Sequence, residues 1–175
     1  AYDHVHIELS GCNITECGVT GGLLCRGGAL DLDLWCTAVL VSTNIFRSQA
    51  SSRWEHARGG GIIARRASSM TLADCDLASC TLNTGASGSA GGAAIFVDNG
   101  CDVVCTRCNF VECELNAKHA YGGAVHCAIW SSASLADCSF LRCAATSFGD
   151  LGVAFGGAVF GNVSSTMLIS SSTFD

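Results

Sequence analysis

Proline is absent from the 175 residues of this chain, and lysine occurs once, at Lys118. Because proline cannot donate a backbone hydrogen bond, its absence fits a chain whose N–H groups are committed to β-ladders. Long hydrophobic runs are also missing, since no window approaches the roughly 18 continuous apolar residues of a membrane-spanning helix. The nine basic residues are scattered rather than clustered. We therefore expect no transmembrane span and no nucleic-acid partner.

Glycine and cysteine are abundant instead, with 21 and 13 residues. Hydrophobic residues make up 49% of the chain, which argues against disorder. The length suits one domain, residues 1–175, with a core of useful size. The odd number of cysteines leaves at least one thiol without a partner inside the chain.

A nine-residue pattern recurs six times. It reads φ-x-x-C-x-φ-x-x-C, where φ is apolar or, once, Cys105. The paired cysteines of the four clear copies are Cys12 and Cys17, Cys75 and Cys80, Cys108 and Cys113, and Cys138 and Cys143. Two degenerate copies begin at Val41, with Asn44 and Gln49 in the cysteine positions, and at Ile169. Successive copies therefore begin 32, 31, 33, 30 and 34 residues apart.

Glycine pairs keep the same spacing. The pairs are Gly27 and Gly28, Gly59 and Gly60, Gly91 and Gly92, Gly122 and Gly123, and Gly156 and Gly157. Two independent motifs that share one period of about 32 residues indicate a repeat architecture.

The repeats contain short, partly alternating apolar runs, such as Ala29 to Leu34, and no clean helical periodicity. This excludes ankyrin, TPR and HEAT solenoids, and the patterns of leucine-rich repeats and propeller blades are missing too. We predict an all-β fold, a right-handed parallel β-helix of about five to six coils with about three short strands per coil. Equivalent residues would stack about 4.8 Å apart.

Stacking assigns a role to both motifs. The two cysteine positions of the repeat would form two interior columns, because cysteine is small and tolerates burial. The glycine pairs would mark corners, or places where backbones approach too closely for a Cβ.

The same residues resemble a known family. G-G-A followed by an aliphatic residue or alanine, alternating with F-x-x-N, is similar to the repeats of the chlamydial polymorphic outer-membrane proteins and to the wider group of pectin-lyase-like β-helices. Four copies match, beginning at Gly27, Gly91, Gly122 and Gly156. Cysteine occupies the asparagine position, as in Phe110-x-x-Cys113. The resemblance spans the whole chain and implies the fold; surface display and adhesion are implied as further expectations.

The cysteines allow three interpretations. Cys101, Cys105 and Cys108 have the C-x3-C-x2-C spacing of an iron–sulfur site, but two of them already belong to the repeat. Stacked Cα atoms about 4.8 Å apart would permit disulfides, although parallel side chains strain the torsion. Buried thiol ladders, with some pairs cross-linked, are the interpretation we favour. We expect no metal or other cofactor.

Catalysis is disfavoured by the acids. Polysaccharide enzymes on β-helices need clustered carboxylates. Counting four and six residues from the first glycine of each pair gives two rows, namely Asp31, Ile63, Ile95, His126, Phe160 and Asp33, Arg65, Val97, Ala128, Asn162. No acid has an acidic neighbour on the next coil, so Asp31 and Asp33 are read as a solvated face.

The remaining polar motifs are weak. His4 and His6 beside Asp3 fit an exposed terminal strand better than a metal site, and His119 and His126 are isolated. Asn13 and Asn162 begin glycosylation sequons, which matter only in a secreted protein.

Coil length varies in three segments, residues 50–58, 84–90 and 144–155, which we expect to be loops on one edge. Arg53, Trp54 and Arg58 in the first, with Phe148 and Phe155 in the last, are candidate partner contacts, since tryptophan and arginine dominate interface energetics.

The expected function follows from these features. We expect a non-catalytic scaffold or interaction module within a larger protein assembly or an extracellular surface, with a carbohydrate-binding or carbohydrate-active β-helix as the alternative and an adhesin or autotransporter passenger as a further one. Uncapped coils at both ends suggest a segment of a longer chain or ends covered by partners. An extracellular or organelle-lumen location is favoured by the cysteine content.

Overall fold

The computed structural model describes residues 4–85 and 87–175. This part of the chain is built from β-strands joined by tight turns, and it contains no helix that could span a membrane. The strands are β1 (His6–Ser10), β2 (Asn13–Thr15), β3 (Gly18–Gly21), β4 (Leu24–Arg26), β5 (Leu30–Asp33), β6 (Thr37–Val41), β7 (Asn44–Phe46), β8 (Gln49–Ser52), β9 (His56–Arg58), β10 (Ile62–Arg65), β11 (Ser69–Ala73), β12 (Asp76–Ala78), β13 (Thr81–Thr84), β14 (Ser89–Gly91), β15 (Ile95–Asp98), β16 (Asp102–Thr106), β17 (Asn109–Val111), β18 (Glu114–Ala117), β19 (His119–Tyr121), β20 (Val125–Cys127), β21 (Ser132–Ala136), β22 (Ser139–Leu141), β23 (Ala144–Ser147), β24 (Val153–Phe155), β25 (Val159–Gly161), β26 (Thr166–Ser170) and β27 (Thr173–Phe174).

Each strand from β1 to β22 pairs in parallel with the strand five places later in the chain. The strands therefore form five parallel sheets that run along the axis of a solenoid. The first sheet holds β1, β6, β11, β16, β21 and β26, and the second, third, fourth and fifth sheets begin with β2, β3, β4 and β5. This confirms the parallel β-helix predicted from the two motifs.

The number of strands per coil was underestimated, since each coil has five strands rather than about three. Single residues in the left-handed conformation make the extra corners. In the third coil, Asp74 (φ 53°) separates the first sheet from the second, and Ser79 (φ 52°) separates the second from the third. In the next coil Arg107 and Glu112 take the same two corners, both with φ 52°, so no single residue type marks these corners in the sequence.

Stacked apolar columns fill the solenoid. One column in the second sheet consists of Ile14, Ile45, Leu77, Phe110, Phe140 and Phe174. Phe110 and Phe140 are at most 1% exposed, and their rings stack at 4.7 Å between centroids. Alanines occupy the inner column of the fourth sheet, where Ala57, Ala90 and Ala120 are buried. The columns are continuous because identical or similar side chains recur every coil.

The second copy of the nine-residue pattern begins at Leu40, not at Val41. Leu40 pairs with Leu9 and is fully buried, whereas Val41 is 37% exposed. A shift of one residue turns every side chain of a strand to the other face, so burial decides the register. The cysteine positions of this coil therefore hold Thr43 and Ser48, rather than Asn44 and Gln49.

The third glycine pair is also shifted by one residue. Gly91 ends β14 and pairs with Tyr121, while Gly92 takes the corner with φ 61°. The corner column is thus Gly27, Gly59, Gly92, Gly122 and Gly156, all with positive φ. Gly28, Gly60, Gly123 and Gly157 follow these corner glycines, and Ala93 takes that place in the third coil.

Candidate binding groove

The first cysteine column lies at the corner between the first and second sheets. Its members in successive coils are Cys12, Thr43, Cys75, Cys108, Cys138 and Ser172. The Cys75 thiol lies 3.4 Å from the carbonyl oxygen of Leu40 in the preceding coil, to which it donates. The Thr43 hydroxyl donates in the same way to Leu9 at 3.3 Å, and Ser172 donates to Leu135 at 3.3 Å. The column thus selects a small side chain with one donor, which cysteine, threonine and serine share.

The second cysteine column holds Cys17, Ser48, Cys80, Cys113 and Cys143. The thiol of Cys113 donates to the carbonyl oxygen of Leu77 at 3.4 Å, and that of Cys143 to Phe110 at 3.4 Å. All thirteen cysteines are free thiols in this structure. The repeated nonapeptide therefore has a structural explanation in the stacking of coils.

The C-x3-C-x2-C spacing does not gather its cysteines into one site. Cys101 follows the turn after β15 and accepts a hydrogen bond from the backbone of Ser68 at 3.3 Å, whereas Cys108 belongs to the first cysteine column. Burial raises the pKa of Cys101 to about 11, which keeps this thiol protonated and a poor ligand at neutral pH. Within residues 4–85 and 87–175, no group of three His, Cys, Asp or Glu residues is placed to hold a metal ion.

The segments of variable length all lie between the third and fourth sheets. They are shorter than predicted, because residues at both ends of the predicted segments belong to strands of these two sheets. The loops are residues 22–23, 53–55, 118 and 148–152, together with residues 85, 87 and 88. We call these loops, together with the outer face of the fourth sheet, the loop edge. Arg53 and Trp54 lie here, with the Arg53 guanidinium 5.6 Å from the Trp54 ring centroid. Phe148 lies in the last loop and is 38% exposed.

Arg58 and Phe155 are the last residues of their strands in the fourth sheet, β9 and β24, and the chain turns into the fifth sheet directly after them. One wall of the resulting groove is the column of Arg58, Gly91, Tyr121 and Phe155 from the fourth sheet. The other wall is the outer column of the fifth sheet, formed by Ile63, Phe96, His126 and Phe160. We call this feature the corner groove.

Aromatic rings line the corner groove over several coils. His126 lies edge-on to Phe96 at 5.0 Å and tilted against Tyr121 at 5.6 Å. Tyr121 in turn stacks on Phe155 at 5.9 Å. A pocket of about 180 Å³ opens in the middle of the groove, with Arg58, Asp98 and Ser89 at its polar side.

His126 is the least expected residue of this pocket. It is 5% exposed, and neither ring nitrogen has a hydrogen-bond partner among the described residues. Burial and then the positive charge of Arg58 lower the pKa of His126 to about 3, so the imidazole is neutral at physiological pH. A neutral imidazole offers one donor and one acceptor, and both are unused here.

Charge in and beside the groove is balanced pair by pair. Arg58 lies 3.4 Å from Asp98, which is 4% exposed, and burial raises the pKa of that carboxyl against the opposing effect of Arg58. One coil earlier, the buried Arg65 contacts both Asp31 and Asp33 at 3.0 Å. Asp31 is exposed and Asp33 is half-buried, so both carboxylates reach solvent as predicted, and both are also ion-pair partners of a buried arginine.

Sequence reasoning missed Asp98, His126 and Tyr121 as members of one site. The slipped glycine pair put Val97, not Asp98, in the column of Asp33 and Arg65, although Asp98 pairs with Arg65. His126 looked isolated because its neighbours come from other coils. An alignment on the corner glycines, with Gly92 in register, would have revealed the Asp33–Arg65–Asp98 column.

The other predicted site residues lie apart from the groove or at its rim. His6 contacts Thr37 at 2.6 Å and Glu8 at 2.9 Å, His4 contacts Trp35, and Asp3 lies outside the described residues. Asn13 accepts a hydrogen bond from Asn44 on the second sheet at 2.8 Å. Asn162 is exposed at the rim of the pocket.

Comparison of the chain with protein-family models, with curated proteins and with solved structures found no match. The fold and the groove therefore define the molecule as a parallel β-solenoid, and its function has to be argued from its own surface.

We expect His126 to make the protein acid-sensitive. The pKa of a histidine in the unfolded chain is about 6.5 and that of His126 is about 3, so the unfolded chain binds more protons between these pH values. Its contribution to stability is complete above about pH 6.5 and is lost as the pH falls toward 3, by up to about 1.4 kcal/mol per pH unit. The charged or titratable groups facing the ring are Arg58, Asp98 and Tyr121.

The measurement compares the native chain with His126→Phe by urea unfolding at about pH 7 and about pH 4.5. Asp98 titrates in both proteins and largely cancels in the difference. The native chain should lose about 2–3 kcal/mol more of its free energy of unfolding than the variant. Equal losses would show that His126 does not titrate as a buried neutral group.

Proposed function

We propose that the protein is a non-catalytic β-solenoid module that binds a protein partner through its loop edge. The observation that carries this proposal is the exposure of large apolar side chains on that edge. Leu23, Trp54 and Leu151 are 61%, 57% and 78% exposed, and Leu24, Phe148, Val153 and Phe155 are also exposed. Exposed apolar patches commonly mark an interaction site, and on this edge they lie in the first, second and fifth coils.

The charge of the loop edge indicates the chemistry of the partner. The chain has a net charge of −6, yet four of its nine basic residues lie on this edge, accompanied by two acids, Glu55 and Asp150. The basic residues are Arg26, Arg53, Lys118 and Arg58, the last of which is paired with Asp98 of the fifth sheet. An acidic protein surface with apolar patches would complement this combination, and charge complementarity would set its orientation and association rate.

A rigid scaffold is also supported by the interior. The columns of apolar side chains continue from coil to coil, and in each cysteine column some thiols, such as those of Cys75 and Cys113, donate hydrogen bonds to carbonyl oxygens of the preceding coil. Beside the groove, each acid faces an arginine rather than another acid, as in the Asp33–Arg65–Asp98 column. Asp31 and Asp33 do lie close to each other, but both carboxylates are paired with the guanidinium of the buried Arg65, whereas the carboxyl groups of a glycosidase act directly on the glycosidic bond.

A relationship to a particular family of β-helix repeats is also part of this proposal. We propose that the repeats are related to the G-G-A and F-x-x-N repeats of the polymorphic outer-membrane proteins, with cysteine in the asparagine position. What supports this is that the corner glycines fall in one column of the structure. Surface display or an extracellular location would follow from that relationship.

The test is native mass spectrometry of the protein isolated from its source, with thiols alkylated beforehand. We expect a stoichiometric protein complex that Trp54→Ala weakens by about 30-fold or more, as for a typical interface hot spot. Trp130→Ala is the matched control, because Trp130 is 72% exposed but lies on the turn after the fifth sheet. A monomer, or a complex equally weakened by both variants, would contradict binding at the loop edge.

A further inference from the structure

We propose that the turns between the fifth and first sheets form a docking surface for a zwitterionic lipid bilayer, such as one of phosphatidylcholine. These turns end successive coils and stack into a ridge, which consists of residues 34–36, 66–68, 99–101, 128–131 and 162–165. We call this feature the turn ridge. Docking there goes beyond the proposed protein–protein function, because the turn ridge and the loop edge are different surfaces.

Large apolar side chains are exposed in three of the five turns of the ridge. Trp35 and Trp130 are 53% and 72% exposed, and Leu34, Ile129 and Val163 are exposed as well. Exposed apolar patches of this kind mark sites of contact with another protein or with a membrane.

The backbone conformation makes these large side chains costly. Leu34, Trp35 and Trp130 have φ of 59°, 62° and 53°, in the left-handed region that disfavours bulky residues. The fold does not require tryptophan there, because Ala67 and Gly100 take the same place in the turns between them. Burial does not recover the cost either, since both indole rings are more than half exposed. Backbone strain without a structural purpose is typical of functional sites.

Another column of left-handed corners shows what a solvent-facing corner carries in this molecule. The corners between the first and second sheets include Asp74, Arg107 and Asp137, which have φ between 52° and 53° and are exposed and charged. The turn ridge uses the same conformation with leucine and tryptophan instead. Its composition therefore indicates a surface that is covered by an apolar partner.

The backbone of the turn ridge suits contact with lipid. Unpaired backbone polar groups are costly where water is excluded by lipid. In four turns a central N–H donates to a carbonyl oxygen of the next coil, at 3.0 to 3.3 Å, in the pairs Trp35 to Arg66, Ala67 to Asn99, Gly100 to Ile129 and Trp130 to Val163. These N–H groups would enter the bilayer interface with their partners in place.

Charge decides between lipid classes. Of the residues in these five turns, all of which the structure describes, only Arg66 is charged, and its guanidinium lies 3.5 Å from the carboxylate of Asp33. Anionic lipids are recognised by clusters of lysine and arginine, and the chain as a whole has a net charge of −6. A zwitterionic surface is therefore favoured over an anionic one.

The spacing of the tryptophans favours a bilayer over a protein partner. Trp35 and Trp130 are three coils apart, which is about 14 Å at about 4.8 Å per coil, with only Ala67 and Gly100 between them in that column. Hot spots of protein interfaces cluster in one packed centre, whereas separate tryptophans anchor proteins at the level of lipid headgroups. Contact along the ridge would place the axis of the solenoid parallel to the bilayer.

The first experiment is flotation of the native chain with vesicles of phosphatidylcholine and with vesicles that also contain phosphatidylserine. The chain has three tryptophans, so the fluorescence of Trp54→Phe reports on Trp35 and Trp130 alone. We expect the native chain to float with phosphatidylcholine and the ridge fluorescence to shift to the blue and to be quenched by brominated lipid. Flotation only with phosphatidylserine, flotation without quenching, or no flotation at all would overturn the proposal. A protein complex found in place of vesicle binding, and weakened by Trp130→Gly, would show that a protein covers the ridge.

Trp130→Gly tests the surface without threatening the fold, because glycine suits φ of 53° and the ring that is removed is mainly exposed. It should weaken vesicle binding about tenfold or more, the effect of losing one large apolar contact. Leu168→Ala is the control, since Leu168 is 63% exposed on the outer face of the first sheet. Equal binding by Trp130→Gly and the native chain would overturn the proposal. Loss of the protein complex with vesicle binding intact would instead affect only the proposed function.

Discussion

Replacing Gly92 with alanine is expected to destabilise the solenoid by about 3 kcal/mol or more, one of the largest effects available from a single methyl group. Gly92 makes the corner between the fourth and fifth sheets with φ 61°. A Cβ there would overlap the carbonyl oxygen of Ile95 and would lie 2.6 Å from its carbonyl carbon and 3.1 Å from the backbone nitrogen of His126. All three atoms belong to the backbone of packed strands and cannot move aside cheaply.

Gly100→Ala is the matched control for this prediction. Gly100 also has a positive φ, 73°, in the same coil, but nothing lies within 4 Å of the position its Cβ would take. Its cost should be limited to the left-handed conformation, about 1–2 kcal/mol. Urea unfolding followed by circular dichroism measures both variants, and equal losses would mean that backbone conformation, not close packing of coils, explains the corner glycines.

The difference between the closely packed Gly92 and the open Gly100 also explains which parts of the fold could be predicted from the sequence. The period of about 32 residues was visible because close packing restricts the corner after the fourth sheet to glycine in every coil. Other corners tolerate side chains that point to solvent, as with Asp74 and Arg107, which have φ of 53° and 52°. Those corners leave no residue-type signature, and for that reason five strands per coil were read as about three.

The register errors have a related cause. At the second coil, Leu40 and Val41 are both apolar, so hydrophobicity does not distinguish the inward residue from the outward one. The structure resolves this choice because only Leu40 continues the inward-facing column of Leu9 and Leu72. Sequence periodicity therefore predicts the repeat more securely than it predicts which side chains of a strand point into the core.

The corner groove depends on that facing. Asp98 and His126 lie on the outer face of the fifth sheet, whose inner face holds Ile95 and Val125 of the main core. Outward residues of a solenoid are not constrained by stacking in the interior, so their types vary between coils and carry no repeat pattern. The candidate site thus consists of the residues that a repeat-based reading of the sequence treats as exceptions.

Replacing Phe110 with alanine is the second substitution with a large expected effect. Phe110 is fully buried in the column of the second sheet, between Leu77 and Phe140, and its ring is nearly parallel to that of Phe140. Truncation removes the buried ring and leaves a cavity that the neighbouring coils cannot close without breaking their ladders. A loss of about 3–5 kcal/mol in the free energy of unfolding is expected.

Phe174→Ala tests whether burial, rather than aromatic stacking, is responsible. Phe174 belongs to the same column and stacks on Phe140 at the same centroid distance, 4.7 Å, but is 51% exposed. Its loss should be about 1–3 kcal/mol, because half of the burial of a phenylalanine adds to the contribution of an aromatic pair. Phe110→Leu should also be mild, because Leu77 fills the same position one coil earlier. Urea unfolding of the three variants decides the matter: if Phe110→Ala costs no more than Phe174→Ala, the column does not act as a closely packed core, since truncation at its centre would then leave no costly cavity.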